Sequence, residues 1–184
     1  MKKNEEFGEN SEFLLIPKER VGALIGKGGS TKRNIERKTK VKLVVDSKEG
    51  EIEIIQGGDS LDYFKATRIV KAIGRGFAPE KALKLLSGDV FLELIDLEDV
   101  VGKSRSTMTV KKGRVIGAKG KAREEIERET GASISVFGKT ISIIGKEKEI
   151  ADAKKAVQML LGGASHSAAY SQLKRRFEND YFEL

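Results

Sequence analysis

Cysteine and tryptophan are absent from the 184 residues, and histidine occurs once. Without cysteine there is no disulfide framework, no thiolate nucleophile and no thiolate ligand for a metal. With His166 alone, in the C-terminal tail, no cluster of histidine and cysteine can hold zinc. Long apolar runs are missing too: none approaches the ~18 residues of a membrane span. The opening residues, Met1-Lys2-Lys3-Asn4-Glu5-Glu6, lack the apolar stretch and small-residue cleavage site of a secretory leader, so a cytoplasmic protein is expected. Acids are in deficit. The 28 Asp and Glu against 35 Lys and Arg leave a formal +7 and a pI near 9.5, which favours polyanionic partners. Charged residues at 34% also suit a thermophile, which explains part of the charge without a ligand.

Glycine, by contrast, is placed with regularity. Leu24-Ile25-Gly26-Lys27-Gly28-Gly29 is answered by Val115-Ile116-Gly117-Ala118-Lys119-Gly120. At the offset that lays Gly26 on Gly117, Ile25 falls on Ile116, Gly29 on Gly120, Ile35 on Ile126, Glu36 on Glu127 and Thr39 on Thr130. Without a gap the register then carries Leu43 onto Ile134 and Val45 onto Val136. An internal repeat divides the chain into two small units.

The basic excess gathers on the repeated turns. Lys18, Arg20, Lys27, Lys32, Arg33, Arg37, Lys38, Lys40 and Lys42 crowd the first, and Lys111, Lys112, Arg114, Lys119, Lys121 and Arg123 the second. Between them Asp89, Glu93, Asp96, Glu98 and Asp99 form an acidic stretch.

Around each turn the patterning is the same. Glu12–Ile16 is a short apolar run closed by Pro17 and reads as a strand. Lys18–Ile25 is helical, Gly26 ends it, and Ser30 or Thr31 caps a second helix to about Thr39. Val41–Val45 and Glu51–Ile55 form a hairpin, and a helix from Ser60 ends at Gly74. The second unit runs through a strand at Val90–Ile95, a longer approach to Ile116, a helix over Lys121–Thr130, a hairpin of Ala132–Phe137 with Thr140–Ile144, and a helix over Lys146–Leu161. The expected divisions are a loose N-terminus over 1–11, a first domain over 12–75, a connecting helix over 76–88 packed between the units, a second domain over 89–162 and a helical tail over 163–184. In the tail Tyr170, Leu173, Phe177 and Tyr181 recur at helical spacing and should dock on the body.

A G-x-x-G turn between two helices has a specific use. Its glycines take backbone angles closed to other residues and let a sugar-phosphate backbone approach the amides. The helix that follows aims its unpaired N–H groups and positive dipole end at the same spot. Two nucleotide-binding loops are excluded: the Walker pattern fails because Lys27 is followed by Gly28, and the dinucleotide fingerprint fails because a helix precedes the turn. Two turns in register, each entered by an apolar pair, are strong evidence of one shared purpose.

This constellation resembles the KH domain, in its eukaryotic-type (type I) order because the hairpin and long helix follow the turn. The resemblance implies an α+β fold, with a three-stranded sheet packed on three helices in each of two tandem units. It implies that Gly26, Lys27, Gly28 and Gly29, and Gly117, Ala118, Lys119 and Gly120, clamp the backbone of roughly four single-stranded nucleotides, while bases lie on an apolar groove. Lys32, Arg33, Arg114, Lys121 and Arg123 would support the clamps. Val21, Ile25 and Val44 would line one groove, and Ile116 with the strand Ser133–Ser135 the other. An RRM would need stacking aromatics that this sequence, 6% aromatic, does not place.

The tandem arrangement, the helix at Pro79-Glu80-Lys81-Ala82-Leu83 and the motif Gly163-Ala164-Ser165-His166-Ser167-Ala168-Ala169-Tyr170 are similar to the archaeal relatives of the partner-of-Nob KH proteins. That implies binding near the 3′ end of small-subunit (16S) rRNA in ribosome biogenesis, beside the endonuclease that trims it and the α subunit of translation initiation factor 2, with no cofactor. Two rivals remain open at this stage. A nuclease would need acids converging beside a clamp, but Glu36 and Glu127 lie on helices where pairing with Arg33 and Arg123 is the simpler account. A general mRNA-binding or exosome-type regulator would use the same clamps without a preference for rRNA.

Overall fold

The computed structural model describes the backbone of residues 11–182, and the side chains of residues 11–174. The chain divides into two compact units, Met1–Gly88 and Asp89–Leu184. The loose N-terminus expected over 1–11 lies almost wholly outside the described residues, as do the side chains of Phe177 and Tyr181.

The first unit runs β1 (Ser11–Leu15), α1 (Lys18–Ile25), a single 3-10 turn at Lys27–Gly29, α2 (Ser30–Thr39), β2 (Lys42–Asp46), β3 (Glu51–Ile55) and α3 (Ser60–Gly74). Its antiparallel sheet has the order β1-β3-β2, so β2 is an edge strand. Alternation along the strands sends Leu43, Ile52 and Ile54 inward, where Leu24, Ile35, Ile69 and Ile73 complete a core in which each of these side chains is at most 1% exposed. Each such burial contributes roughly 1.5–3 kcal/mol. Arg20 fastens α1 to the far end of α3: its Nε donates to Ile73 O at 2.9 Å and a terminal nitrogen to Phe77 O at 2.6 Å.

The connecting helix is shorter than expected and belongs to the first unit. It comprises α4 (Pro79–Ala82) and a 3-10 turn at Leu83–Leu86, and Phe77, Ala82 and Leu85 bury its apolar side within that unit against α3.

The second unit repeats the plan with additions at both ends: β4 (Phe91–Asp96), α5 (Leu97–Val101), α6 (Arg105–Ile116), a 3-10 turn at Ala118–Gly120, α7 (Lys121–Thr130), β5 (Ser133–Phe137), β6 (Thr140–Gly145), α8 (Glu147–Gly162) and α9 (His166–Phe182). The strand order is β4-β6-β5. The longer approach to the turn is α5 together with an α6 of 12 residues, where α1 has 8. Lys111 does here what Arg20 does in the first unit, donating to Leu161 O at the end of α8 at 2.5 Å. The tail helix docks: α9 packs on α7 and α8 and buries Ala169 and Leu173 in the core. Burial, with Glu125 nearby, pushes the Tyr170 phenol up.

Two in-register positions close the second helix of each unit. Thr39 and Thr130 are buried, and each donates its hydroxyl to the carbonyl four residues back at 2.7 Å. The next residue is left-handed in both, as Gly131 at φ +79° in one and Lys40 at φ +52° in the other. A lysine is strained there and glycine is not. Lys40→Gly is therefore expected to stabilise the first unit by about 0.5–1 kcal/mol, read from chemical denaturation; an unchanged or lowered midpoint would contradict the strain.

Candidate nucleic-acid interface

Each G-x-x-G turn joins two helices through three positive-φ positions. In the first these are Gly26 at +73°, Gly28 at +56° and Gly29 at +79°, and in the second Gly117 at +73°, Lys119 at +54° and Gly120 at +83°. The first glycine of each turn is needed for close packing as well as for the angle. A methylene added to Gly26 would sit 2.7 Å from Thr31 N, and one added to Gly117 would sit 2.7 Å from Ala122 N. Around Gly28 an added Cβ meets nothing within 4 Å, so the crest of the first turn faces open space. Lys27, Gly28, Ala118 and Lys119 are all exposed. The turn therefore presents an uncovered crest ahead of a helix N-terminus, with a lysine on it, which is the arrangement that takes a phosphate. The cation sits one place apart in the two copies: second in the first turn, third in the second.

The helices behind the turns carry different fields. On α2 Lys32, Arg33, Arg37 and Lys38 are accompanied by the single acid Glu36, whereas α7 sets Glu124, Glu125, Glu127 and Glu129 among Lys121, Arg123 and Arg128. Arg33 and Lys121 are exposed beside their turns. Lys32, four residues before Glu36, engages it at 2.8 Å and takes the role expected of Arg33. Arg123 holds Glu127 loosely, at 3.9 Å, and its Nε has no hydrogen-bond partner among the described residues.

Three of the expected site residues lie elsewhere. Val21 is 3% exposed and belongs to the core beneath the turn. Val44 sits in a row with Phe13 and Glu53 on the sheet face turned away from the helices; Val45, one place on, shares the inward face with Leu43 and Ile52. In the second unit Ile134 and Val136 take the inward face, while Ser133 and Ser135 take the other and are buried. Arg114 is committed within the protein, donating to Leu160 O at 3.1 Å and Ala164 O at 2.5 Å. Its own carbonyl lies 2.8 Å from His166 Nε2, so the lone histidine ties the start of α9 to α6. Ile25 and Ile116 remain half-buried at the mouth of each turn.

In each unit the helix that follows the turn lies against the edge strand, β2 or β5, which carries Val45 or Val136 on its inward face. A link that sequence reasoning missed joins them: Glu36 Oε1 accepts from Leu43 N at 2.9 Å, and Glu127 Oε1 from Ile134 N at 2.6 Å. The repeat register, which pairs Glu36 with Glu127 and Leu43 with Ile134, was the signal that could have found it. Among the described residues no group of three or more acidic or histidine side chains is arranged to hold a metal ion, and no helix is long and apolar enough to cross a membrane.

Comparison with known proteins agrees with this geometry. The KH domain family profile matches residues 11–86, and the profile for the second KH domain of PNO1, described as eukaryotic type KH-domain (KH-domain type I), matches residues 91–178. The chain is 49% identical over 179 residues to a KH domain-containing protein of Methanocaldococcus jannaschii, covering 94% of this chain and 78% of that protein. It is 27% identical over 169 residues to RNA-binding protein pno-1 of Caenorhabditis elegans, covering 89% of this chain and 61% of the relative. Dim2p from Pyrococcus horikoshii superimposes with a TM-score of 0.84 at 44% identity, covering 91% of this chain and 99% of that one. A chain of the a/eIF2alpha-aDim2p-rRNA complex from the same organism gives 0.86 at 44% identity, with 95% and 97% covered. The chain belongs to the KH-domain family and carries two KH domains in tandem, one in each unit, the second of the kind found in PNO1.

Proposed function

We propose that this chain is a single-stranded RNA-binding factor of ribosome biogenesis, which binds near the 3′ end of small-subunit rRNA through its two G-x-x-G turns and assists maturation of that end. The observation that carries the reading is the pair of intact turns, each with an exposed crest, a lysine and a following helix N-terminus. The relatives support the target, since one similar structure is a complex with rRNA and a/eIF2alpha, and a pre-rRNA-processing protein is among the similar sequences. On this reading the α subunit of initiation factor 2 and the endonuclease that trims the rRNA end are partners, the work is done in the cytoplasm, and the chain itself performs no reaction. All seventeen expected site residues except Val21, Val44 and Arg114 keep their place in it.

The experiment is the affinity of the full chain for short strands from the 3′ end of archaeal small-subunit rRNA, beside scrambled strands and a duplex, at one fixed near-physiological salt. A clear preference for the rRNA end is expected. Equal affinity for every single strand would move the function to a general RNA-binding regulator, and a flat dependence of affinity on salt would contradict phosphate contacts.

A further inference from the structure

Each sheet turns one face to its own helices and the other away, and the two outer faces have opposite characters. By strand register the middle row of the second sheet's outer face is Leu94, Ser142 and Ser135, and both serines are buried. The matching row of the first sheet is Phe13, Glu53 and Val44, with Leu15, Glu51 and Asp46 in the row beside it. Here Phe13 is 59% exposed, Leu15 79% and Val44 44%. Large apolar side chains stand on the open face and small hydroxyl ones on the covered face, the reverse of what solvent alone favours. The acids of the open face need an account too. Asp46, Glu51 and Glu53 share it with a single lysine, Lys42, in a chain of formal charge +7. Asp46 accepts from Lys48 N and Glu49 N of the hairpin turn. The carboxylates of Glu51 and Glu53 meet no partner among the described residues. Glu51 also lies directly opposite Asp46, where like charges cost stability.

The spacing describes what would neutralise them. Two residues apart on β3, Glu51 and Glu53 stand about 6.6 Å from each other, and Phe13 and Val44, one strand to either side of Glu53, are about 9.6 Å apart. A helix laid along β3 has these dimensions: side chains four residues apart recur every ~6 Å on its underside, and its width of ~10 Å sets its flanks over the two apolar rails. Three strands of five residues offer a footprint of roughly 14 by 17 Å, which suits one helix and is too small for the usual interface with a globular partner. We propose that the outer face of the first sheet docks an amphipathic helix of a protein partner, whose contact stripe carries lysine or arginine four residues apart between apolar residues. RNA is the wrong occupant, since its phosphates would meet Glu51 and Glu53; a second copy of this chain would set those carboxylates against themselves. The G-x-x-G turn lies on the helix side of the sheet, so docking leaves it free. The inference stands on the sheet and does not rest on the RNA-binding reading.

The probe is an alanine-rich helical peptide with two lysines four residues apart and leucines flanking them, beside the same peptide with glutamates in place of the lysines. Each is titrated into the isotope-labelled full chain, and affinity is read by NMR from the amide signals of β1, β2 and β3 alone, so that attraction of the acidic peptide to the basic turns does not enter. The lysine peptide is expected to shift those signals and to bind there about tenfold or more tightly than the glutamate one. Glu51→Gln combined with Glu53→Gln should erase that preference. Phe13→Ser should weaken the lysine peptide about fivefold or more. Thermal midpoints should stay within a few degrees, because these side chains lie on the outer face. Equal affinity for the two peptides, a preference undiminished in the glutamine pair, or signals that shift only outside the first sheet would overturn the proposal. So would a dimer of the unaltered chain that Phe13→Ser takes apart, which would assign the face to a second copy. If Phe13→Ser fails to fold, the glutamine pair carries the test.

Discussion

Replacing Lys27 and Gly28 together by Asp is expected to weaken single-stranded RNA binding by about tenfold to a hundredfold while leaving the protein folded, because attraction to a phosphate becomes repulsion. The structure makes the second half of that expectation specific. An added Cβ at Gly28 meets no atom within 4 Å, and Asp is among the residues that enter the left-handed region with least cost. Lys27 is exposed and joins no described ion pair. The matching change in the second unit, Ala118→Asp with Lys119→Asp, starts from a lysine already at φ +54° and so adds no new backbone demand. Each pair should also flatten the salt dependence, by about 0.7 in the slope of log affinity against log salt for every phosphate that is no longer neutralised. The first pair should flatten it more, since α2 carries the larger basic excess. Affinity unchanged in both variants, with melting curves intact, would remove the clamps from the function.

The opposite kind of loss is expected at Gly26. An alanine there needs φ near +73° with ψ near 170°, a region open to little but glycine, and its methyl would stand 2.7 Å from the backbone nitrogen of Thr31. Since α2 begins at that point, relief requires the helix to withdraw. We expect Gly26→Ala to destabilise the first unit by about 2–3 kcal/mol and to abolish its share of RNA binding. Gly22→Ala is the control. It lies in α1 with nothing within 4 Å of an added Cβ, and should be neutral or stabilising by about 0.5–1 kcal/mol. Denaturation curves of the two variants separate the explanations: similar behaviour would mean that the turn tolerates a side chain and that its glycine is not structural.

Much of this was legible in the sequence for one reason, that a repeat lets each half correct the other. The helix, turn, helix and hairpin of both units follow from the glycine positions and β-branched alternation, and those signals are local; the cap expected of Ser30 or Thr31 does not form, because the left-handed Gly29 is the N-cap of α2 and no side chain bonds to that end. Failures came where the signal was local but ambiguous. Val44 and Val45 are adjacent and equally apolar, so the phase of β2 could be read either way. The phase of the repeat, in which Leu43 and Val45 correspond to Ile134 and Val136, decides for Val45. Other failures came where the partner is remote. Arg20, Lys111 and Arg114 look like members of a phosphate-binding cluster until their carbonyl partners, about fifty residues away in sequence, are seen beside them. A basic residue read from sequence carries a charge but no address. Val21 was misplaced because an eight-residue helix has room for a single buried stripe, and the same stripe feeds both core and groove.

The ungapped register has a consequence for how such a protein changes over generations. From Ile25 to Val45 and from Ile116 to Val136 the two copies have equal length, and the residues that hold the backbone, Gly26, Ile35, Glu36, Thr39 and Leu43 with their counterparts, recur at identical spacing. Buried differences are confined to small or apolar exchanges such as Val41 against Ala132, whereas the changes of charge at the turn and behind it, Lys27 against Ala118, Gly28 against Lys119 and Arg33 against Glu124, all face outward. After an ancestral duplication, then, inheritance could hold the skeleton constant while drift and selection reworked the surface of either copy. Two binding modules could diverge in taste without either having to relearn how to fold.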